Sequence, residues 1–171
     1  MKKQYFKYLL IFIGLAFFNL TVLKAQNEKP TIYNIDADAK TDLNNALDKA
    51  AKEGKHLLIQ VGGNWCKWCI KFHGFIKSDA QIDSLINVDY VYLLINYSKE
   101  NRNLEMMKQL EYPQRFGFPV LVVLDAKGKR LHTQDSGFLE SGEASYDREK
   151  ILIFLKNWNK KALDSNNYLL K

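Results

Sequence analysis

The spacing of apolar residues predicts a helix near the start of the folded part of the chain. Leu43, Ala46, Leu47 and Ala50 recur every three or four positions within residues 38–52, so they fall on one face of a helix. Residues that can cap this helix and end it stand at its two ends, namely Asp38 or Thr41 and Gly54. The helix is therefore predicted to be amphipathic, with this face against a core.

Three later runs of apolar and β-favouring residues predict strands buried inside a sheet. They cover residues 56–61, 89–96 and 120–124. Pro119 precedes the third strand, where a missing backbone donor is tolerated. A turn around Gly128 is predicted to join this strand to a fourth that ends at residue 134. A weaker strand is predicted at residues 31–35.

Helical periodicity predicts four more helices between and after these strands. They cover residues 66–77, a piece from Ser78 or Asp79 to residue 86, and residues 101–110 and 147–161. Residues 135–145 are predicted to be a loop. A strand–helix–strand start requires parallel strands and a right-handed crossover, whereas the hairpin adds an antiparallel edge. The predicted fold class is α/β, with a mixed central β-sheet flanked by helices on both faces.

Length and composition indicate one globular domain. The chain has 171 residues, of which 47% are hydrophobic and 13% aromatic, enough for one core and too few for two. We predict a signal peptide at residues 1–25, a linker at 26–37, a folded domain at 38–163 and a C-terminal tail at 164–171.

The N-terminal segment has the pattern of an export signal. Lys2, Lys3 and Lys7 precede an apolar run over residues 8–23, and cleavage is predicted after Ala25. The alternative is an uncleaved N-terminal membrane anchor, because a run of this length is near the lower limit for spanning a bilayer. Both interpretations place the domain outside the cytoplasm, in a periplasm or secreted.

The net charge of +6 comes mostly from this same segment. Residues 1–25 contain four lysines and no acidic residue, which leaves +2 for the rest of the chain. A protein with so small an excess of positive charge has no electrostatic signature of nucleic-acid binding, and we expect no nucleic-acid partner.

The only two cysteines, Cys66 and Cys69, lie at the predicted start of a helix that follows a buried strand. The free N–H groups and the dipole at a helix start stabilise an anion, so Cys66 is expected to ionise more easily than a free thiol. The spacing lets the two sulfurs close a disulfide with little chain movement. Because so small a loop gains little entropic stabilisation, a redox role fits this pair better than a structural staple does.

The strand, the Trp-Cys-x-x-Cys segment at a helix start, and the Phe-Pro pair before a later strand together resemble the thioredoxin superfamily. Within it, the chain is similar to secreted or periplasmic thioredoxin-like proteins with a Trp-Cys-x-Trp-Cys site. The resemblance implies a thioredoxin fold in which Cys66 is the nucleophile and Cys69 resolves the mixed disulfide. It also implies that Pro119 is a cis-proline beside the cysteines, that the backbone of Phe118 pairs with an extended substrate, and that Trp65 shapes the site.

Two features depart from the pattern of thioredoxins. The residues between the cysteines are Lys67 and Trp68, where thioredoxins have Gly-Pro. The positive charge of Lys67 is expected to favour the Cys66 thiolate and so make the pair more oxidising, while Trp68 adds bulk beside it. The second departure is Gln60, which occupies the position of a buried aspartate that serves proton transfer to the second cysteine. A glutamine cannot titrate, so resolution by Cys69 is expected to be slower or to rely on another group.

The resemblance implies an exported thiol–disulfide oxidoreductase that exchanges disulfides with protein substrates through the Cys66/Cys69 pair. Its partners would be protein thiols and disulfides together with a membrane or periplasmic redox protein, and no cofactor beyond the redox-active disulfide is expected. The direction of electron transfer and the oligomeric state stay open.

The alternative function is a non-catalytic thioredoxin-fold module that binds a metal ion or a dedicated partner through the same cysteines. His73, four residues after Cys69, would complete a set of three ligands on one helix face. A histidine on a helix surface is the commoner interpretation of this spacing, and no metal site is predicted.

Overall fold

The structure is a computed structural model that describes residues 30–142 and 145–169 of the chain. The predicted signal peptide at residues 1–25 lies outside these residues, as do positions 26–29 of the predicted linker and the last two positions of the predicted tail. Within the described ranges, each helix is too short or too polar to cross a bilayer.

Within the described residues, five helices and four strands follow one another in the order expected for an α/β fold. Their bounds are α1 Ala39–Glu53, β1 His56–Gly62, α2 Lys67–Ser78, α3 Ala80–Asp89, β2 Tyr90–Asn96, α4 Leu104–Gln109, β3 Val120–Leu124, β4 Arg130–Asp135 and α5 Arg148–Asn157. Short 3₁₀ turns occur at Pro113–Phe116, Ser136–Leu139 and Ser165–Asn167.

The four strands form one mixed sheet in the order β2-β1-β3-β4, so β1 lies inside it. Strand β1 pairs in parallel with β2, with His56 opposite Tyr90, and the connection between them carries α2 and α3. On its other side β1 runs antiparallel to β3, with Val61 opposite Val120. This register brings the start of β3 beside the end of β1, where the cysteine-bearing turn begins.

Helices cover both faces of the sheet, which confirms the predicted architecture. One apolar cluster joins α1 and α4 to the sheet, and it includes Leu43, Ala50 and Met107. The second cluster joins α2, α3 and α5 to the opposite face, with Phe72 and Ile151 among its buried residues. The two clusters share the sheet as their common layer because successive side chains of a strand point to opposite faces.

The capping residues predicted for the first helix are found in these roles. Asp38 is the N-cap of α1 and accepts hydrogen bonds from the backbone of Lys40 and Thr41. Gly54 ends the helix in a left-handed conformation with φ of 68°, which a glycine adopts without steric cost. The local sequence therefore fixes both ends of this helix.

Several predicted bounds differ from the observed ones, and two of the differences have a visible cause in the backbone or its hydrogen bonds. No strand forms at residues 31–35, because the backbone N–H groups of Ile32 and Tyr33 bond to a side chain instead of to a neighbouring strand. Helix α4 begins at Leu104 rather than at residue 101, since Asn103 adopts a left-handed conformation with φ of 46°. Helix α5 ends at Asn157 rather than at residue 161, and the predicted loop after β4 contains a 3₁₀ turn.

Acid pH is expected to weaken the junction between α2 and α3 through Asp79. This carboxylate caps α3 by accepting from Gln81 and Ile82, both at 3.0 Å, and it pairs with Arg148 of α5 at 2.7 Å. The hydrogen bond from Ile82 and the Arg148 guanidinium hold the pKa of Asp79 below its usual value. Its contribution to stability is therefore complete above the pKa of the unfolded chain and is lost as pH falls through the lower pKa of the folded state.

Urea unfolding of the wild type and Asp79→Asn between roughly pH 2 and 6 checks this expectation. Asparagine still caps the helix but does not titrate, so the advantage of the wild type is expected to be constant near pH 6 and to shrink toward acid pH. A difference between the two proteins that does not change with pH would contradict the assignment.

Candidate active site

The turn after β1 places the two cysteines at the start of α2. The N–H of Cys66 donates to the carbonyl of Gly63 at 3.0 Å, which closes the turn, and Cys66 itself is the N-cap of the helix. Its sulfur accepts a hydrogen bond from the backbone N–H of Cys69 at 3.1 Å. A sulfur in this position faces the unpaired N–H groups of the helix, which stabilise negative charge on it.

Cys66 and Cys69 form a disulfide with their Cα atoms 5.2 Å apart. The two residues differ in accessibility, because Cys66 is 6% exposed whereas Cys69 is fully buried. Of the two residues, only Cys66 keeps a part of its surface exposed, and Cys69 is closed off from solvent. This difference assigns the outer position to Cys66.

Aromatic side chains surround the accessible side of the pair. The rings of Trp65 and Phe118 meet edge to face at 5.3 Å, and Phe118 stacks on Tyr97 at 5.1 Å. The indole N–H of Trp65 donates to the carbonyl of Tyr97 at 2.7 Å, although 57% of this tryptophan is exposed. Phe118 also packs against the cluster that contains both cysteines. Together the exposed Trp65 and the half-buried Phe118 and Tyr97 form an apolar surface next to Cys66.

The Phe118–Pro119 peptide bond is cis, as the family resemblance implies. Pro119 directly precedes β3, whose first residue, Val120, pairs with Val61 near the end of β1. The antiparallel pairing of β1 and β3 thus brings the Phe-Pro pair to the cysteines from a distant part of the sequence.

The two residues between the cysteines point in different directions. Lys67 is the exposed first residue of α2, beside Cys66. Trp68 is half-buried and packs edge to face against Tyr146 at 5.4 Å, and Lys71 lies 5.0 Å above its ring. The bulk of Trp68 is therefore directed partly into the helical layer.

Gln60 is fully buried behind Cys69 and is hydrogen-bonded through both ends of its amide. Its Nε2 donates to the hydroxyl of Tyr33 at 2.5 Å and to the carbonyl of Cys69 at 3.0 Å. The hydroxyl of Tyr92 donates to its Oε1. Burial raises the pKa of Tyr33 and of Tyr92, so both phenols keep their protons at neutral pH.

Asn64 attaches the segment before α1 to the cysteine-bearing turn. Its Oδ1 accepts from the backbone N–H groups of Ile32 at 2.9 Å and Tyr33 at 3.0 Å, and its Nδ2 donates to the carbonyl of Tyr33 at 2.8 Å. Tyr33 is 4% exposed and packs in one cluster with Cys66 and Cys69. Part of the predicted linker is therefore a wall of the site.

Sequence reasoning missed Tyr33, Asn64 and Tyr92. Tyr33 is the only aromatic residue between positions 26 and 37, and this isolated ring in a polar segment was the available signal. Asn64 and Tyr92 carry no comparable signal, since their partners lie about thirty positions away.

Asn64→Ala is expected to release the 31–35 segment from the site. The substitution removes three hydrogen bonds and leaves the N–H groups of Ile32 and Tyr33 without their acceptor. We therefore expect the free energy of unfolding to fall by about 2 kcal/mol. Hydrogen exchange is expected to accelerate at Ile32 and Tyr33 while β1 stays protected.

Asn34→Ala, which removes one local bond to Asp36 at 3.0 Å, is the matched control and is expected to leave this exchange slow. Unchanged protection of Ile32 and Tyr33 in Asn64→Ala would show that the segment is held by other contacts.

His73 does not face the cysteine sulfurs as part of a ligand set. Its ring stacks on Tyr92 with 5.9 Å between ring centroids, and its Nδ1 lies 3.4 Å from the tyrosine hydroxyl. Burial lowers the pKa of His73, and the nearby charge of Lys77 adds to this effect. Across the described residues, no three His, Cys, Asp or Glu side chains are grouped as metal ligands.

The chain shows similarity to proteins of disulfide chemistry. A family model described as a thioredoxin-like domain matches residues 43–145. The disulfide bond reductase DsbH of Chlamydia pneumoniae is 29% identical over 107 residues, which cover 59% of this chain and 63% of that relative. The thiol:disulfide interchange protein DsbD of Salmonella typhi is 27% identical over 128 residues, 71% of this chain and 22% of the relative. The matches thus span less than two thirds of the length of these curated relatives.

A solved structure confirms the predicted thioredoxin fold. The disulphide isomerase from Xylella fastidiosa Temecula1 superposes with a TM-score of 0.67 at 25% sequence identity, and the match covers 76% of this chain and 98% of that chain. The superposed part includes most of the described domain.

Proposed function

Because this chain belongs to the thioredoxin-like domain family, we propose that it is an exported thiol–disulfide oxidoreductase that reduces disulfides in protein substrates. The observation that carries the proposal is the Cys66–Cys69 pair at the start of α2, in which Cys66 is the slightly exposed N-cap of the helix and Cys69 is fully buried. The names of the relatives, a disulfide bond reductase and a disulphide isomerase, support the same chemistry.

The reaction begins with the Cys66 thiolate, which the helix start and the charge of Lys67 favour. Its sulfur attacks one sulfur of a substrate disulfide, and the other substrate sulfur leaves as a thiolate. Cys69 then attacks the sulfur of Cys66, so that the second substrate thiolate leaves and the Cys66–Cys69 disulfide forms. Two electrons pass from the cysteine pair to the substrate, and no organic cofactor takes part.

Substrate is proposed to lie along the surface formed by Trp65, Phe118 and Tyr97. The backbone of Phe118 is proposed to pair with an extended segment as a strand would, and the exposed Trp65 offers an apolar contact beside the reacting sulfur. A groove continues from Trp65 and Tyr97 past Lys99 and Arg102.

Export and a redox partner complete the proposal. The apolar, lysine-flanked pattern of residues 1–25 supports a periplasmic or secreted location, and mass spectrometry of the protein purified from its native cell would show whether residue 26 is the mature N-terminus. Repeated turnover requires a membrane or periplasmic protein that reduces the Cys66–Cys69 disulfide.

Equilibration with glutathione, combined with an insulin-reduction assay, tests the direction of transfer. Insulin reduction together with a potential near roughly −270 mV is expected for a reductase. A potential near roughly −120 to −180 mV would assign oxidation or isomerisation instead, with Lys67 as its cause. A pair that exchanges with neither reagent would contradict the proposed function.

A further inference from the structure

The orientation of the buried Gln60 amide is fixed by its neighbours. The backbone carbonyl of Cys69 can only accept a hydrogen bond, so the atom 3.0 Å away must be the donating Nε2. Oε1 then faces Tyr92, whose hydroxyl donates to it. The second hydrogen of Nε2 points to the Tyr33 hydroxyl oxygen at 2.5 Å. Gln60 is therefore a donor toward Tyr33 and cannot accept its proton.

This arrangement leaves the hydrogen of the Tyr33 hydroxyl available. The oxygen of Tyr33 accepts from Gln60, and no hydrogen bond among the described residues uses its hydrogen. The sulfur of Cys69 lies in the same space, because a Cβ built on Gly62 would be 2.5 Å from this sulfur and 2.7 Å from the Tyr33 oxygen. Because Gly62 has no side chain, the phenol of Tyr33 and the buried sulfur of Cys69 can both occupy the space beside it.

We propose that Tyr33 donates a hydrogen bond to the Cys69 thiolate when the disulfide is open, and so acts as a catalytic residue in the resolving step. The inference rests on the proposed function and adds a residue to it. In the disulfide form this bond is not made, since the sulfur then carries no charge and is a weak acceptor. Reduction converts it into a charged acceptor beside a donor that is already held in place.

The transfer of protons and electron pairs in the resolving step defines the role of Tyr33. The Cys69 thiol first loses its proton to the substrate thiolate that the attack by Cys66 released. The Cys69 sulfur then forms a bond to the Cys66 sulfur, and the bonding pair between Cys66 and the substrate leaves with the second substrate sulfur. Tyr33 keeps its own proton throughout and stabilises the negative charge on Cys69 before the new bond forms.

The surroundings of Cys69 supply few other means of stabilising this charge. Of the titratable side chains nearby, the phenol of Tyr33 shares a cluster with Cys69, and the phenol of Tyr92 bonds to Gln60. The phenol of Tyr146 bonds to the carbonyl of Trp68, and the imidazole of His73 stacks on Tyr92. Gln60 itself is neutral at all pH values and donates to the Cys69 carbonyl rather than to its sulfur. The phenol of Tyr33 is held in place by Asn64 and Gln60, and its oxygen and the Cys69 sulfur both border the space beside Gly62.

Tyr33→Phe tests the proposal because it removes the hydroxyl and keeps the ring. With a peptide disulfide in single turnover, acid quenching and mass spectrometry separate formation of the Cys66 mixed disulfide from its resolution. We expect formation to keep the wild-type rate and resolution at pH 7 to slow by about tenfold, so that the mixed disulfide accumulates. Between roughly pH 5 and 10, the midpoint of the resolution rate is expected to move up by about one pH unit.

Tyr168→Phe is the matched control, since this tyrosine is 70% exposed and its hydroxyl donates to the carbonyl of Ala162 in the C-terminal segment, away from the cysteines in sequence. It is expected to leave both rates unchanged. Resolution at the wild-type rate in Tyr33→Phe, or equal slowing of both steps with no movement of the pH midpoint, would overturn the proposal. Equal slowing would mean that Tyr33 has only a structural role.

A second measurement separates this inference from the proposed function. In Cys66→Ser, the remaining thiol of Cys69 titrates alone, and nuclear magnetic resonance of its labelled Cβ reports the pH at which it ionises without any substrate. Adding Tyr33→Phe is expected to raise this pH by about one unit, and no shift would overturn the role of Tyr33. Wild-type protein that forms no mixed disulfide would contradict the proposed function, while the role of Tyr33 would still be decided by this titration.

If Tyr33→Phe fails to fold in thermal unfolding, Asn64→Ala replaces it. This variant keeps the hydroxyl but releases the backbone of Ile32 and Tyr33. It is expected to slow resolution in the same direction and to leave the first step unchanged, whereas unchanged resolution would overturn the proposal.

Discussion

Cys66→Ser is expected to abolish disulfide exchange, whereas Cys69→Ser is expected to stop the reaction at a stable mixed disulfide. The difference follows from accessibility, because Cys66 reaches the surface and Cys69 is fully buried. Without Cys66 no sulfur can be approached by a substrate, and insulin reduction should fall by at least about a thousandfold. Without Cys69 the first attack proceeds, but the covalent intermediate has no internal thiol to resolve it.

Mass spectrometry after incubation with a peptide disulfide distinguishes the two variants. An adduct of one peptide chain is expected on Cys69→Ser and absent from Cys66→Ser. An adduct formed only by Cys66→Ser would mean that the roles of the cysteines are exchanged.

Gly62→Ala is expected to lower the free energy of unfolding by about 2–3 kcal/mol. The new Cβ would lie 2.5 Å from the sulfur of Cys69, 2.7 Å from the hydroxyl of Tyr33 and 3.2 Å from the Cβ of Cys69. All three atoms belong to buried side chains. The two atoms of Cys69 are held by the disulfide, and the hydroxyl of Tyr33 is held by its hydrogen bond to Gln60. The site must therefore shift to admit a single methyl group.

Gly74→Ala is the matched control for this substitution. Gly74 lies inside α2, and apart from its chain neighbours and the nearby backbone of the helix no described atom lies within 4 Å of its added Cβ. Alanine is therefore expected to stabilise the helix by about 0.5–1 kcal/mol. Urea unfolding of both variants measures the two effects. If Gly62→Ala is as stable as the wild type, the close approach of Tyr33 and Cys69 across Gly62 is not a constraint on the folded state.

The helices and strands could be predicted because their signals are local. The 56–61, 89–96 and 120–124 runs become three strands of the sheet, and the capping residues Asp38, Gly54 and Asp79 stand at helix ends. One failure lies where a side chain takes over backbone hydrogen bonds. Asn64 does so for the segment that was expected to form a strand at residues 31–35.

The sequence also indicated part of the site, since the cysteine pair and the helix start that holds it are adjacent in the chain. The family resemblance also placed Pro119 beside the cysteines, but the local patterns did not indicate the antiparallel pairing of β1 with β3 that brings Phe118 there. Nor did they indicate that Trp68 packs against Tyr146, 78 positions away. Contacts of this separation depend on how the sheet is ordered, and hydrophobic periodicity carries no information on strand order.

By itself, the sequence determined the fold class, the cysteine pair at a helix start and the absence of a carboxylate at position 60. These features depend on residue type and spacing over a few positions, where periodicity, capping and the chemistry of a helix start act directly. Only the tertiary structure decided what takes the place of that carboxylate. Folding brings Tyr33 of the N-terminal segment and Tyr92 of β2 to the two ends of Gln60, because the sheet and the Asn64 contacts close chain separations of about thirty residues.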